Sequence, residues 1–332
     1  MADLKFIECH NRKGANDIED RDLTDYMFMM YRRGEDGWYK NSIFPVSDFK
    51  TMPLTNGAVS GVFVHECIRV TLDKNGKIAF VKTDEVIKSL CDKAKSLGFA
   101  EVDSVYAKYA FSELLKTERQ FLQEGSYFIA HFNLFSLDKG SEFPVKESMF
   151  TINLEYRKEN PLENVTLCTA QSPVKKLCIG TVMTENAKYV TKAAANAMGY
   201  DLALLTDCVY DKYILGASGM NVFFRTEKEI FAPGECDGFV STLVKELMTD
   251  WGLLVSSKKF STDELWQLYK KGEITEAFCV CEKELVIPVT EIETGDGILE
   301  FQKGKLARKL YDSILNIERG ILLFPKYKMD RV

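Results

Sequence analysis

The residues of this chain that could carry out chemistry are few and widely spaced. Only three histidines occur among 332 residues, and none of His10, His65 and His131 is spaced to share a metal ion with another. Cys279 and Cys281 flank one residue of a predicted strand, so both thiols lie on one face and could form a redox pair or half of a metal site. These residues alone define no catalytic centre, and we expect no metal.

The common motifs for phosphate binding and serine catalysis are absent from the sequence. No Gly-x-Gly-x-x-Gly run follows a predicted strand, and no P-loop occurs. The run Gly216-Ala-Ser-Gly219 superficially resembles a nucleophile elbow but lacks the Gly-x-Ser-x-Gly spacing. We therefore interpret Ser218 as part of a bulged strand and not as a nucleophile.

Composition excludes several classes of protein. The chain has 43 Lys and Arg against 49 Asp and Glu, a net charge of −6, and no basic stripe, which argues against nucleic acid as a partner. Its apolar runs fall far short of the roughly 20 residues that cross a bilayer, so we expect no membrane association. Nine scattered cysteines without a signal peptide favour reduced thiols and a cytoplasmic location.

Hydrophobic periodicity predicts a mixed α/β (α+β) chain of two domains. Apolar residues at helical spacing predict helices over 84–97, 105–122, 188–198, 239–251, 262–271 and 303–319. A polar stretch with a proline follows residue 157 and indicates a domain boundary. We predict a small N-terminal α/β domain over 1–158, a linker over 159–172 and a larger C-terminal domain over 173–332.

Several motifs in the second half resemble the branched-chain aminotransferases, which are pyridoxal 5′-phosphate (PLP) enzymes of fold type IV. Residues 199–207 are similar to the family strand Gly-(Cys/Tyr)-Asp-x-(Val/Ala)-Leu-x-Leu-Asp, and residues 219–224 to Gly/Thr-Met-Asn-Leu-Phe-Phe. Residues 272–278, Gly-Glu-Ile-Thr-Glu-Ala-Phe, are similar to Gly-Glu-Leu-Thr-Glu-Val-Phe, and residues 316–320 to a final Gly-Ile-Gln-x-Gly. The matches keep the family's order along nearly the whole chain.

The resemblance implies a homodimer of two-domain subunits with a cofactor cleft between the domains. An active member of the family transfers an amino group between a branched-chain amino acid and 2-oxoglutarate. It does so through a Schiff base between a lysine and PLP.

The family's Schiff-base lysine is missing at the matching position. In the family it stands just before a Gly-Gly-Asn-Tyr turn, and counting back from Tyr189 places Thr184 there, or Glu185 if one residue of the turn is deleted. Neither side chain can form an imine. Lys188 is the nearest amine, three or four residues away at the predicted start of a helix.

Other positions that would contact PLP also differ from the family. Gly216 replaces the carboxylate that the family places beside the pyridinium nitrogen, and Ser89 replaces its phosphate-binding arginine, with Lys88 and Lys93 close by. Tyr189 alone keeps the residue type that the family places at the phenolic oxygen of PLP.

The two loops that would bind phosphate, and the strand that would bind substrate, are altered as well. The first loop contains Gly238, Phe239 and Val240 after the acidic Glu235 and Asp237, which would repel a phosphate. The second loop carries Glu282. The substrate-binding arginine of the family falls at Ala130, followed by His131.

These differences leave three interpretations. The first, which we favour, is a pseudoenzyme that has lost PLP binding and transaminase activity, has no cofactor, and acts as a homodimer or with an active relative or another protein. The second is an enzyme without PLP in the same cleft, using groups from the set His65, His131, Glu185, Tyr189 and Cys281. The third is a PLP-dependent aminotransferase whose lysine has moved to Lys188.

Overall fold

The computed structural model describes residues 4–33, 37–49, 55, 57, 62–81, 83–139, 144–159, 163–172, 182–207, 212–233, 238–302, 304–325 and 329–332. The chain divides into two compact units. Unit 1 comprises Met1–Glu159, Gly180–Val182 and Asn316–Val332, and unit 2 comprises Asn160–Ile179 and Met183–Leu315. Each unit is built on its own sheet, which confirms the mixed α/β class.

Unit 1 contains an eight-stranded sheet in the order β1-β3-β2-β7-β6-β4-β5-β17. The strands are β1 (Lys5–Phe6), β2 (Leu23–Arg33), β3 (Trp38–Pro45), β4 (Phe63–Leu72), β5 (Ile78–Val81), β6 (Ser126–Ser136), β7 (Glu147–Lys158) and β17 (Met329–Arg331). Helices α1 (Thr83–Lys95) and α2 (Ser104–Thr117) follow β5. Only β1 and β3 pair in parallel among these described strands.

The central strand β6 shows how the unit 1 sheet separates its two faces. Side chains alternate across a strand, so Ala130 and Phe132 lie on one face and His131 and Asn133 on the other. Phe132 is fully buried and lies 5.1 Å, ring to ring, from Phe111 of α2. The helices therefore cover the apolar face, and a row of polar side chains lies on the opposite face.

The C-terminal segment of the chain completes unit 1. Strand β17 pairs antiparallel with β5, and the backbone N–H of Lys74 donates to the carbonyl of Arg319. Arg69 of β4 is buried and donates from Nε to Glu318 Oε2 over 3.0 Å. These contacts make residues 316–332 part of the N-terminal unit.

Unit 2 contains a nine-stranded sheet in the order β10-β9-β8-β15-β14-β11-β12-β13, with β16 paired to β15. The strands are β8 (Val165–Gln171), β9 (Leu202–Thr206), β10 (Ile214–Ala217), β11 (Asn221–Thr226), β12 (Ile230–Pro233), β13 (Val255–Lys258), β14 (Ile274–Cys281), β15 (Leu285–Thr294) and β16 (Gly297–Glu300). The helices are α3 (Val182–Ala197), α4 (Phe239–Asp250), α5 (Thr262–Lys270) and α6 (Lys305–Glu318). A buried cluster that includes Phe224, Phe231 and Phe260 forms its core.

Each predicted helix is present, but α3 begins earlier than the sequence indicated. We expected a helix over 188–198, whereas α3 runs from Val182. The residues that replace the family's Gly-Gly pair are Asn186 and Ala187, and without glycine the helix continues through this stretch. The turn expected before Tyr189 is therefore helical.

The segment that we interpreted as a linker, 159–172, contains β8, which lies between β9 and β15 in the unit 2 sheet. Helix α6 ends in residues that group with unit 1. Among the described helices, none has both the length and the apolar character that crossing a membrane would require.

Candidate functional site

Side-chain contacts gather four chain segments of unit 2 around the turn between β10 and β11. Thr191 Oγ1 of α3 lies 3.1 Å from Ser218 Oγ in this turn. Asn221, the first residue of β11, donates from Nδ2 to Ser241 Oγ of α4 over 2.6 Å. At the start of α4, Gly238 lies against the carboxylate of Glu282, which follows β14. The unit 2 positions that were compared with PLP contacts therefore fall in one region of this unit.

Helix α3 places the family's lysine position and Lys188 on one face. Thr184 and Lys188 are four residues apart in this helix, and positions four apart lie one above the other. The structure does not describe the side chains of Thr184 and Glu185. Lys188 is half-buried and lies next to Ala187 and Thr191, the buried residues of this face. The amine is therefore carried on the side of α3 that contacts the β10–β11 turn.

Tyr189 and Ser218 differ in their surroundings. Tyr189 is 76% exposed on α3, so its ring is open to a ligand or to another chain. Ser218 is buried, and its Oγ lies within hydrogen-bond distance of the backbone of Ala203 as well as of Thr191. These contacts give Ser218 a structural role and agree with our interpretation that it is not a nucleophile.

Gly216 lies at a β-bulge and has a backbone that favours glycine. The pairing of β10 with β9 shifts between Ile214 and Gly216, and Gly216 has a φ of +146°. A Cβ added there would lie 3.2 Å from the carbonyl oxygen of Met220. Any larger side chain at this position is therefore strained, including the carboxylate that the family carries.

The first turn of α4 begins at a glycine N-cap. Gly238 is its N-cap with a φ of +111°, and Phe239 and Val240 follow as the first helical residues. Backbone N–H groups at such an end attract anions. The Glu282 carboxylate occupies the space beside Gly238. Glu235 and Asp237, which we expected to repel phosphate here, lie outside the described residues.

Cys279 and Cys281 are buried thiols of β14. Burial raises the pKa of the Cys279 thiol to about 12. Burial raises the pKa of Cys281 as well, and the nearby Glu284 carboxylate adds to the rise, since Cys281 Sγ donates to Glu284 Oε2 over 2.8 Å. Both thiols stay protonated and unreactive at neutral pH. No group of three or more potential metal ligands occurs among the described residues.

Ser89, which aligns with the family's phosphate-binding arginine, is engaged within unit 1. Its Oγ donates to Glu66 Oε1 of β4 over 2.6 Å, and Lys93 Nζ lies at the same distance from that oxygen. The two side chains of α1 that could bind a phosphate therefore hold a carboxylate. Lys88 is exposed on the same helix.

The two residues of the expected substrate pocket, Ala130 and His131, project from opposite faces of β6. Ala130 is fully buried on the face that the helices cover. His131 lies on the opposite face, with its Nδ1 3.0 Å from His65 Nε2 and its Nε2 2.8 Å from Glu155 Oε2. The two side chains therefore project in opposite directions, and their role in a substrate pocket stays a prediction.

Three residues of these sites were not predicted from the sequence, namely Asn221, Ser241 and Glu155. Asn221 lies inside a motif that we matched, but nothing indicated that it bonds Ser241. Glu155 lies 24 residues from His131, in the next strand along the chain. Strand alternation in β6 and β7 was the available signal for this contact, but pairing the two strands requires their register.

Known proteins similar to this chain are branched-chain aminotransferases. Branched-chain-amino-acid transaminase 1 of Bacillus subtilis (strain 168) is 25% identical over 321 residues, which cover 90% of this chain and 89% of its own. A probable branched-chain-amino-acid aminotransferase of Staphylococcus aureus (strain N315) is 26% identical over 319 residues, with the same coverage. No protein-family model matches the chain.

Solved structures with a similar fold are of the same kind. The branched-chain aminotransferase of Thermoproteus uzoniensis with norvaline superposes with a TM-score of 0.74 at 16% identity and covers 92% of this chain and 99% of its own. The branched-chain amino acid aminotransferase of Escherichia coli has a TM-score of 0.71 at 16% identity, covering 92% and 98%. Another such enzyme, complexed with N-(5′-phosphopyridoxyl)-L-glutamate, has a TM-score of 0.71 at 21% identity, covering 91% and 96%.

These comparisons confirm the resemblance found in the sequence. The chain is a branched-chain-aminotransferase-like protein with the fold of the type IV enzymes. Our expectation that it has no cofactor is wrong, because its relatives are branched-chain aminotransferases and solved neighbours of that kind contain phosphopyridoxyl and pyridoxamine 5′-phosphate groups.

The described residues fit such a cofactor in part. The N-terminus of α4 offers backbone N–H groups for a phosphate, and Lys188 offers an amine. Two features do not fit. The Glu282 carboxylate must move away from Gly238 before a phosphate can bind there, and Gly216 provides no partner for a ring nitrogen.

Proposed function

We propose that this protein binds PLP in unit 2, attaches it through Lys188, and has little transaminase activity toward branched-chain amino acids. The observation that carries this proposal is the helical register of α3, in which Lys188 stands one turn after Thr184. The choice of PLP and of branched-chain amino acids follows from the relatives. The expectation of weak activity follows from Gly216 and Glu282.

Lys188 can compensate for the missing lysine because of its position and its length. Four helical residues correspond to a rise of about 6 Å. Side chains of a helix tilt toward its N-terminus, and lysine has a flexible four-carbon stem. The Lys188 amine can therefore reach back along the helix toward the position of Thr184. A bound PLP would supply an electron sink for bonds at the substrate α-carbon.

Gly216 is the main reason to expect weak activity. A carboxylate beside the ring nitrogen keeps it protonated, and the protonated ring is the electron sink that amino transfer requires. With glycine at this position, that partner is lost, and the backbone at φ +146° resists replacement by a larger residue. The protein can therefore bind PLP and still catalyse amino transfer only slowly.

Absorbance and peptide mapping test the proposal. The purified full chain is mixed with PLP, reduced with borohydride and digested. We expect a shifted cofactor band before reduction and a cofactor mass on the peptide that contains Lys188. Lys188→Gln should remove both signals, whereas Lys192→Gln, an exposed lysine one turn further along α3, should keep them. A labelled peptide elsewhere, or equal labelling of the Lys188→Gln variant, would contradict the proposed attachment.

Activity separates a weak enzyme from a competent one. We expect amino transfer from leucine to 2-oxoglutarate at less than about 0.01 per second, against the roughly 10 per second of a typical enzyme. A rate in the normal range would show that the protein is a working aminotransferase. A shifted band without detectable turnover would show a cofactor-binding pseudoenzyme.

We further propose a cytoplasmic homodimer, following the resemblance. Equilibrium sedimentation at micromolar concentration should give twice the mass of the 37.8 kDa chain, and cell fractionation should recover the protein without membranes. A monomer at that concentration would overturn the dimer, and recovery with an active relative would indicate a mixed assembly.

A further inference from the structure

The face of the unit 1 sheet opposite the helices carries a chain of polar side chains across β4, β6 and β7. His65 Nε2 lies 3.0 Å from His131 Nδ1, and His131 Nε2 lies 2.8 Å from Glu155 Oε2. Arg157 Nη2 lies 2.5 Å from the other oxygen of Glu155. The side chains of His131, Glu155 and Arg157 are 14%, 13% and 13% exposed, so solvent reaches them little.

The hydrogen-bond chemistry of this chain fixes where the protons are. A carboxylate held by Arg157 only accepts hydrogen bonds, so His131 carries its hydrogen on Nε2 and donates to Glu155. The Nδ1 of a neutral His131 is then an acceptor, and His65 donates to it from Nε2. When both rings are neutral, each of the two contacts therefore has one hydrogen-bond donor and one acceptor.

The contact between the rings admits one additional proton but not two. One added proton leaves a single hydrogen between His65 Nε2 and His131 Nδ1, which can belong to either ring. Two added protons would place two N–H groups head to head across 3.0 Å, with two like charges. Glu155 offsets one positive charge and is itself held by Arg157.

We propose that His65 and His131 form a single acid–base site, which binds one proton and shares it between the two rings, with Glu155 as the group that stabilises its charge. The site belongs to unit 1 and does not depend on the function proposed for unit 2.

Other titratable and charged groups on this face come from β2, where Tyr31 and Arg33 lie beside Met149 and Glu147 of β7, and from β4 and β6. Cys67 of β4 is the cross-strand partner of His131, and Arg69 follows on the same face. Tyr127 of β6 packs under Arg69, whose guanidinium lies 3.4 Å from its ring centre. Arg69 is itself bound to Glu318 and Glu159, so its charge is offset. Glu155 is therefore well placed to stabilise a positive charge on the histidine pair, which it contacts directly.

The small number of histidines makes the proposal measurable in the full chain. Ring signals of His10, His65 and His131 are followed by NMR on protein labelled at histidine, from about pH 5 to 9. His10 is exposed and serves as the one-proton reference. We expect the His65 and His131 signals to move together, with amplitudes that sum to about that of His10. Two separate transitions, each as large as that of His10, would overturn the proposal.

Two variants test the roles of the residues. Glu155→Gln should lower the midpoint of the shared transition by at least about one pH unit, a tenfold loss of proton affinity. Glu147→Gln, at the far end of β7 where it pairs with Arg33, should leave the midpoint unchanged. An unchanged midpoint in Glu155→Gln would contradict the role of Glu155.

A second variant keeps the test decisive if Glu155→Gln does not fold. In His65→Gln, we expect His131 alone to show the full one-proton amplitude, because the pair in the natural chain holds one proton in total. If the amplitude of His131 in this variant is instead half of the summed amplitude of His65 and His131 in the natural chain, the pair binds two protons and the proposal is wrong.

Discussion

The carboxylate of Glu282 stands against the backbone at Gly238, where α4 begins, so that a Cβ at Gly238 would collide with Glu282 Oε1. A side-chain anion thus lies at the helix end where a cofactor phosphate would bind. A carboxylate there interacts favourably with the helix dipole. A phosphate must therefore displace an anion that already stabilises this end.

Replacing Glu282 should strengthen anion binding at α4. Glu282→Gln keeps the shape of the side chain and removes its charge, so we expect PLP to bind roughly three- to tenfold more tightly. Calorimetric titration with PLP measures the change. Glu284→Gln is the matched control, since Glu284 lies two residues further along and contacts Cys281 instead. Equal affinities for both variants and the natural chain would contradict this account.

Replacing Gly216 should destabilise unit 2. Gly216→Ala places a side chain on a backbone with φ +146° and near the carbonyl of Met220, so we expect the free energy of unfolding to fall by about 1–3 kcal/mol. Urea unfolding measures the loss. Gly295→Ala should change stability by less than about 0.5 kcal/mol, because a Cβ there has open space.

Breaking the Arg69–Glu318 pair should loosen the C-terminal segment. Burial raises the pKa of Glu318, and the charge of Arg69 opposes that rise. Arg69→Met leaves a buried carboxylate without its partner, so we expect a loss of roughly 3–5 kcal/mol in the free energy of unfolding. Amide hydrogen exchange in residues 316–325 should accelerate. Arg308→Met, which removes an exposed pair with Asp312, should cost less than about 0.5 kcal/mol.

Glu118 should make stability depend on pH. Burial raises its pKa from 4.5 to about 8, against the opposing hydrogen bond from Tyr26 N and the charge of Arg12. The folded state therefore keeps this proton over a range in which the unfolded state has lost it. Stability from this group is complete below the unfolded pKa and falls as pH rises toward 8, by up to about 1.4 kcal/mol per pH unit.

The Glu118→Gln variant isolates this effect. It keeps an oxygen that can accept from Tyr26 N and removes the titration, so its unfolding free energy should fall less between pH 5 and 8 than that of the natural chain. Glu113→Gln, on the partly exposed side of α2, is the control and should follow the natural chain. Parallel pH profiles for all three proteins would refute the assignment to Glu118.

Much of the fold was predictable because its signals are local. Apolar spacing located each helix, and α5 begins at a capping box formed by Ser261 and Glu264. The run Gly216–Gly219 was interpreted as part of a bulged strand, and the pairing of β10 with β9 does shift between Ile214 and Gly216. The start of α3 was missed, because a family turn was expected where the residues themselves permit a helix.

The site was harder to predict, because it depends on strand register. Ala130 and His131 are adjacent in sequence, and only the pleat decides which one faces the helices. His65 and His131 are 66 residues apart, and the pairing of β4 with β6 brings them together. Neither the residue types nor their spacing in the sequence determines the register that pairs these strands.

The position of β17 has a consequence for how the protein is made. The N-terminal unit needs residues 316–332 for its outer strand beside β5 and for the Glu318 partner of Arg69. A ribosome synthesises those residues after unit 2, so unit 1 must wait, with one sheet edge open and Arg69 lacking Glu318, while the whole of unit 2 is synthesised. Unit 2, by contrast, ends at Leu315. The order of folding during synthesis is therefore the reverse of the order of the sequence, with the first unit to emerge completed last.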